Sequence, residues 1–129
     1  MSIHHLQLWV PDLARAERSW GWLLDRLGYE MERRWDHGRL WRGPHSAIVI
    51  EASPDMVPGM LYSRLRPGMN HVAFRVDSTD DLIRLLEDAP SAGWTPLPDQ
   101  RHPVGATVTV AYLEDADGFE VELVAPDPA

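Results

Sequence analysis

An internal repeat limits the fold of this sequence more than any other feature. Residues 3–10 place apolar side chains one, three and five positions after His5, and residues 70–76 do the same after His71. Such alternation predicts β-strands with one buried face. A helix signal follows each strand, with Asp12 and then Ser78 as the predicted N-caps. The sequence therefore predicts two copies of one module.

A glutamate-bearing strand closes each copy of the repeat. Residues 46–51 form an apolar run that ends in Glu51, and residues 119–124 carry Glu122 on the face opposite their apolar side chains. The second of these strands follows Asp117-Gly118, a dipeptide typical of tight hairpin turns. We interpret Glu51 and Glu122 as counterparts, as we do His5 and His71.

The order of predicted elements is β-α-β-β-β in both halves. The fold class is therefore α+β, with two βαβββ modules that are expected to form a curved mixed sheet around a cavity, paired either within one chain or across a homodimer. The first module spans residues 1–52 and the second residues 70–129. Residues 53–69 form the linker, since three prolines and two glycines disfavour regular structure there.

Composition narrows the possible functions. The formal net charge of −8 over 129 residues argues against nucleic-acid binding, which needs a basic face. Without cysteine, any metal must be held by His, Asp or Glu. No apolar run approaches the roughly 20 residues of a membrane span, and no secretion signal opens the chain, so a cytoplasmic protein is expected. Six tryptophans indicate either core packing or an aromatic-lined pocket.

The alternation of side chains along the strands makes four residues candidates for a metal site. His5 and His71 lie on the strand faces turned away from the helices, and Glu51 and Glu122 close their modules. Two imidazoles and two carboxylates suit a divalent first-row metal with open positions for substrate or water. The alternative is that all four are ordinary strand residues.

Four motifs resemble those of the vicinal oxygen chelate superfamily, especially its bacterial glyoxalase I-like members. They are HLQLWVPDL at residues 5–13, AIVIE at 47–51, NHVAFRV at 70–76 and VAYLEDADGFEVEL at 110–123. The resemblance implies that His5, Glu51, His71 and Glu122 bind a divalent Zn, Ni, Co, Mn or Fe ion at the interface of a homodimer. It also implies Glu122 as the proton-transferring base, with Glu51 as a second shuttle.

Four further residues are candidates for binding a small-molecule substrate. Trp9 stands where glyoxalase I has a basic residue. Arg75 shares its strand face with His71, and either meets an anionic substrate or pairs with Glu120. Arg101 and His102 lie in a loop that overhangs the pocket in similar proteins, or else are ordinary exposed loop residues.

Three functions compete at this point. The first is a metal-dependent isomerase, lyase or epimerase that chelates vicinal oxygens of a carbonyl substrate and stabilises an enolate-like intermediate. The second is a metal-free protein that sequesters a small molecule or antibiotic, as bleomycin-resistance proteins do. The third is an iron-dependent extradiol dioxygenase with two His and one Glu, in which Glu51 as a fourth ligand would crowd the oxygen site.

Overall fold

The computed structural model of the protein describes residues 1–98 and 108–126. The chain divides into two compact units, Met1–Met60 and Leu61–Ala129. The boundary between them falls inside the segment 53–69 that the sequence predicted as a linker. Within the two described stretches, no helix has the length and apolar character that crossing a membrane requires.

The first unit contains one helix and a four-stranded sheet. Its elements are β1 (His5–Trp9), α1 (Leu13–Arg26), β2 (Glu30–Trp35), β3 (Gly38–Arg42) and β4 (Ala47–Glu51). The strand order is β1-β4-β3-β2, with β1 parallel to β4 and the other neighbours antiparallel.

The second unit repeats this arrangement. Its elements are β5 (Val72–Arg75), α2 (Thr79–Asp88), a 3-10 helix (Ala89–Ala92), β6 (Thr95–Leu97), β7 (Val108–Glu114) and β8 (Glu120–Pro126). The strand order is β5-β8-β7-β6, with β5 parallel to β8. The predicted α+β class and the duplicated βαβββ order are therefore confirmed.

The helix starts lie at equivalent places in the two units. Asp12 Oδ1 accepts a hydrogen bond from the backbone N–H of Arg15 at 3.0 Å, and Ser78 Oγ accepts one from that of Asp81 at 3.1 Å. Both N-caps were predicted from the sequence, and each stands seven positions after the histidine of its module. His5 and His71 thus occupy equivalent positions in the repeat.

The helix-facing sides of the sheets form the cores. Trp20, Leu23 and Leu24 of α1 are fully buried, as is Ile50 of β4. In the second unit the buried residues include Leu82, Leu85, Trp94, Leu113, Val121 and Leu123. Trp41 is also buried, so three of the six tryptophans serve packing and the core interpretation holds for them.

The linker is irregular, as predicted, and part of it packs on the second unit. The Tyr62 ring stacks on Phe119 with 4.1 Å between centroids, and its hydroxyl donates to the Met69 carbonyl. Burial raises the pKa of Tyr62, as do the charges of Asp115 and Glu120, while the charge of Arg64 lowers it. The C-terminal part of the linker is thus packed as part of the second unit.

Arg64 provides the second linker contact. Its Nη1 donates to Glu114 Oε2 at 2.7 Å, and its Nε lies 3.4 Å from Glu120 Oε2. Glu120 is fully buried. The linker thus supplies an arginine to this carboxylate, and the suggested pairing of Arg75 with Glu120 stays a prediction.

Candidate functional site

In the second unit, the two predicted ligands are adjacent. Glu122 pairs with Ala73 across the parallel strands β5 and β8, and His71 immediately precedes β5. The Nε2 atom of His71 lies 3.1 Å from Glu122 Oε2, with the two side chains 27% and 13% exposed. Tyr112, opposite Glu122 on β7, donates its hydroxyl to Glu122 Oε1 at 3.3 Å. Three neighbouring strands thus place His71, Glu122 and Tyr112 together.

Asn70 determines which nitrogen of His71 is available. Its Nδ2 donates to the Arg64 carbonyl at 3.0 Å, which orients the amide so that Oδ1 faces His71 Nδ1 at 2.8 Å. An amide oxygen only accepts, so Nδ1 donates in this contact, and a ring with a single proton then has its lone pair on Nε2. That is the form in which histidine binds metals, with a second partner fixing the tautomer. Sequence reasoning missed Asn70 in this role, although it directly precedes His71.

In the first unit, Glu51 is held by two neutral donors. Gln7 Nε2 donates to Glu51 Oε1, and Trp35 Nε1 donates to Glu51 Oε2 at 3.2 Å. The strand register aligns Trp9, Glu51, Gly38 and Trp35 in one row across the four strands. Gln7 was not predicted, though its position on the same strand face as His5 and Trp9 could have suggested it.

His5 is not brought next to Glu51. It pairs with Ala47 at the start of β1, whereas Glu51 pairs with Trp9 at the other end of that strand. Four positions along a strand correspond to about 13 Å. The nearest polar neighbour of His5 is His4, with 2.8 Å between their Nδ1 atoms.

Comparison of the two registers corrects the proposed correspondence of the glutamates. The residue after His5 is Leu6, which pairs with Ile48, and the residue after His71 is Val72, which pairs with Val121. Val49 is therefore equivalent to Glu122, and Glu51 lies two positions further along its strand. Positions 49 and 51 share one face of the sheet, so side-chain alternation alone did not separate them.

The remaining candidates have different surroundings. Trp9 is 46% exposed at the end of β1. Arg75 is exposed on β5 and pairs with Val124. Arg101 and His102 lie outside the described residues. Among residues 1–98 and 108–126, no three His, Asp or Glu side chains form a cluster that could hold a metal ion.

A cavity of about 230 Å³ lies elsewhere in the first unit, beside α1 and the strands β2 and β3, and contains none of the predicted site residues. Its wall includes Glu17, which accepts hydrogen bonds from Arg34 at 2.5 Å and Arg39 at 2.9 Å. Burial raises the pKa of Glu17, but the two arginines outweigh it and hold that pKa below its usual value. These ion pairs tie α1 to the sheet, so we interpret this cavity as structural.

Gly38 makes the Trp35–Glu51 contact possible, and we expect Gly38→Ala to break it. An added Cβ would lie 2.3 Å from Trp35 Cζ2 and 2.8 Å from Glu51 Cγ. Overpacking of this kind costs about 2 kcal/mol of unfolding free energy. Denaturant unfolding measures that loss, and the indole proton resonance of Trp35 reports the lost hydrogen bond.

Gly21→Ala is the matched control for this substitution. Its Cβ would meet Trp41 at 3.4 Å, an ordinary contact, and alanine favours a helix interior. We expect this variant to be at least as stable as the wild type. A Gly38→Ala protein with unchanged stability and an unchanged Trp35 resonance would contradict the packing described above.

The family model described as Glyoxalase/Bleomycin resistance protein/Dioxygenase superfamily matches residues 4–112. The chain belongs to this superfamily. The resemblance stated from the motifs is thereby confirmed, and the paired βαβββ modules are those of the glyoxalase fold.

Three known proteins are similar to this chain. The uncharacterized protein YqjT of Bacillus subtilis (strain 168) is 35% identical over 126 residues, covering 96% of this chain and 98% of the relative. The crystal structure of a glyoxalase-like protein from Bacillus halodurans has a TM-score of 0.86 at 30% identity, covering 96% of this chain and 95% of that one. A glyoxalase/bleomycin resistance protein from Albidiferax ferrireducens T118 has a TM-score of 0.72 at 19% identity, covering 95% and 96% respectively. The last likeness shows the fold alone.

Proposed function

We propose that this superfamily member is a cytoplasmic, metal-dependent enzyme that acts on a small carbonyl substrate by proton transfer, as an isomerase, lyase or epimerase. The observation that supports this best is the His71–Glu122 pair, in which the imidazole Nε2 lies 3.1 Å from a carboxylate oxygen while the Nδ1 atom faces the amide oxygen of Asn70. We further propose a homodimer with the site at the subunit interface, since superfamily members are often dimers that act on small molecules.

The chemistry of these donors fits a divalent cation. One neutral imidazole and one carboxylate are ligands that Zn, Ni, Co, Mn and Fe accept. His71 and Glu122 would hold the ion, and we propose His5, the repeat equivalent of His71, as the third ligand. We no longer propose Glu51 as the fourth, because Val49 occupies the position equivalent to Glu122.

The bound ion would supply Lewis-acid stabilisation of the negative charge that develops on vicinal substrate oxygens. Glu122 would accept and return the proton of the carbon acid through one carboxylate oxygen, while Tyr112 holds the other oxygen. Asn70 would keep the imidazole of His71 in one tautomer during this transfer. Glu51 as a second proton shuttle remains a prediction.

Metal analysis of protein purified without chelators tests the cation site. We expect about one divalent ion per chain in the wild type and a strong loss of metal in His71→Ala, because one removed ligand costs several kcal/mol of binding. Glu51→Gln should keep its metal. Metal lost equally from both variants would return Glu51 to the ligand set. A wild-type protein without metal that binds aromatic ligands would favour sequestration instead.

We propose one second candidate, a ring-cleaving dioxygenase. Two His and one carboxylate form the facial triad of non-haem Fe(II) oxygenases. We propose that His5, His71 and Glu122 would supply that set, and without Glu51 as a fourth ligand the oxygen site would not be crowded. Oxygen consumption with catechols would support this candidate, whereas turnover of 2-oxoaldehyde adducts or acyl-CoA epimers would support proton transfer.

A further inference from the structure

The row formed by Trp9, Glu51, Gly38 and Trp35 is a second polar feature on the first unit, separate from the His71–Glu122 pair. We propose that it is a binding subsite for the ammonium group of a small organic amine. Glu51 would accept from the amine, and the indoles of Trp9 and Trp35 would form two walls beside it. This row, called the indole row below, lies entirely within the first unit.

The carboxylate of Glu51 has acceptor capacity left. Each of its oxygens accepts one recorded hydrogen bond, from Gln7 and from Trp35, and a carboxylate offers about four lone-pair positions. Both donors are neutral, so they orient the carboxylate without neutralising it. Across the described part of the chain, Glu51 has no ion pair within 4.0 Å. A partly buried carboxylate fixed in this way is suited to a cationic donor.

The aromatic neighbours favour the same ligand. Trp9 lies directly beside Glu51 on the neighbouring strand. On the other side of Glu51, the adjacent strand contributes only Gly38, which has no side chain, so Trp35 on the next strand is the next side chain in the row. Indole faces attract cations more strongly than other aromatic rings. Trp35 already shows this behaviour, because the guanidinium carbon of Arg33 lies 5.5 Å from its ring. Trp9 is 46% exposed, so its indole is open to a ligand.

The fixed geometry distinguishes the indole row from an exposed tryptophan beside a surface acid. An added Cβ at Gly38 would collide with both Trp35 and Glu51, so the absence of a side chain there is what lets them meet. The Trp35 hydrogen bond to Glu51 then holds ring and carboxylate together without help from a ligand. Such preorganisation lowers the entropic cost of binding.

Titration with n-butylammonium tests the proposal, followed through the indole N–H resonance of Trp35, which Trp35→Phe assigns among the six tryptophans. We expect a saturable shift of this signal in the wild type, a weaker one with tetramethylammonium, which cannot donate a hydrogen bond, and none with butyrate. Glu51→Gln should weaken butylammonium binding about tenfold, because the charge is lost while the shape is kept. Trp9→Ala should also weaken it.

Glu30→Gln is the matched control, since it removes the same charge from an exposed position on β2. It should bind butylammonium like the wild type, and the four indole signals outside the row should confirm the fold of every variant. Equal shifts with butyrate, or unchanged binding in Glu51→Gln, would overturn the proposal. A change in the indole N–H resonances of Trp9 and Trp35 with protein concentration, in the absence of ligand, would also overturn the proposal. Such a change would mean that a second copy of the chain covers the row. The titration needs neither turnover nor bound metal, so its failure would leave the proposed function untouched.

Discussion

We expect Glu122→Gln to lower kcat/KM by about 10³-fold while the protein keeps its fold. Glutamine has the same shape and can still meet the Tyr112 hydroxyl, but it neither takes up a proton nor carries charge toward a cation. The side chain is 13% exposed and lies on the sheet face opposite the buried Val121 and Leu123, so its loss of charge should be tolerated. Rates with the substrate identified from the panel of 2-oxoaldehyde adducts and acyl-CoA epimers measure the effect.

The control for this variant is Glu87→Gln, which removes one negative charge from the exposed surface of α2. It should turn over substrate at the wild-type rate. Melting temperatures of both variants within about 3 °C of the wild type would show that folding is not the cause. Wild-type rates in Glu122→Gln would refute the role of this residue as base, whatever its part in binding metal.

The second large effect concerns the linker. We expect Arg64→Ala to lower the free energy of unfolding by about 3 kcal/mol, because it takes a cation away from a buried carboxylate. Glu120 is fully buried with Arg64 Nε 3.4 Å away, and Glu114 loses its 2.7 Å hydrogen bond in the same variant. The partial exposure of Arg64 and Glu114 places the expected loss at the lower end of the range for buried pairs. Denaturant unfolding measures it.

Arg66→Ala tests whether the effect belongs to this site. Arg66 is exposed on the same linker and donates only to the Leu61 carbonyl among its recorded contacts, so its removal should cost less than about 0.5 kcal/mol. Adding Glu120→Gln to Arg64→Ala should restore part of the lost stability, since the buried charge is then gone. An Arg64→Ala protein as stable as Arg66→Ala would show that the linker does not stabilise the second unit through this pair.

Local chemistry made much of the fold predictable. The N-caps Asp12 and Ser78 act on backbone groups three residues away, so the sequence next to them is sufficient to identify them. Likewise, period-two alternation assigned His5 and His71 to the strand faces away from the helices, because neighbouring side chains on a strand must point to opposite sides.

The register of the strands could not be predicted by the same reasoning. Alternation is unchanged by a shift of two residues, so Val49 and Glu51 were equally good counterparts of Glu122 from the sequence. Pairing of β1 with β4 decides between them, and that depends on how two whole strands pack against α1. The carboxylate assigned to the metal was thus found beside Gln7 and Trp35 instead.

The sequence by itself determined the duplicated βαβββ order, the superfamily resemblance and the face on which each candidate ligand lies, since all of these depend on residues close together in the chain. Only the tertiary structure decided which of those residues meet. The His71–Glu122 contact and the burial of Glu120 beside Arg64 join segments far apart in sequence. Their geometry depends on strand pairing and linker packing, which no local pattern encodes.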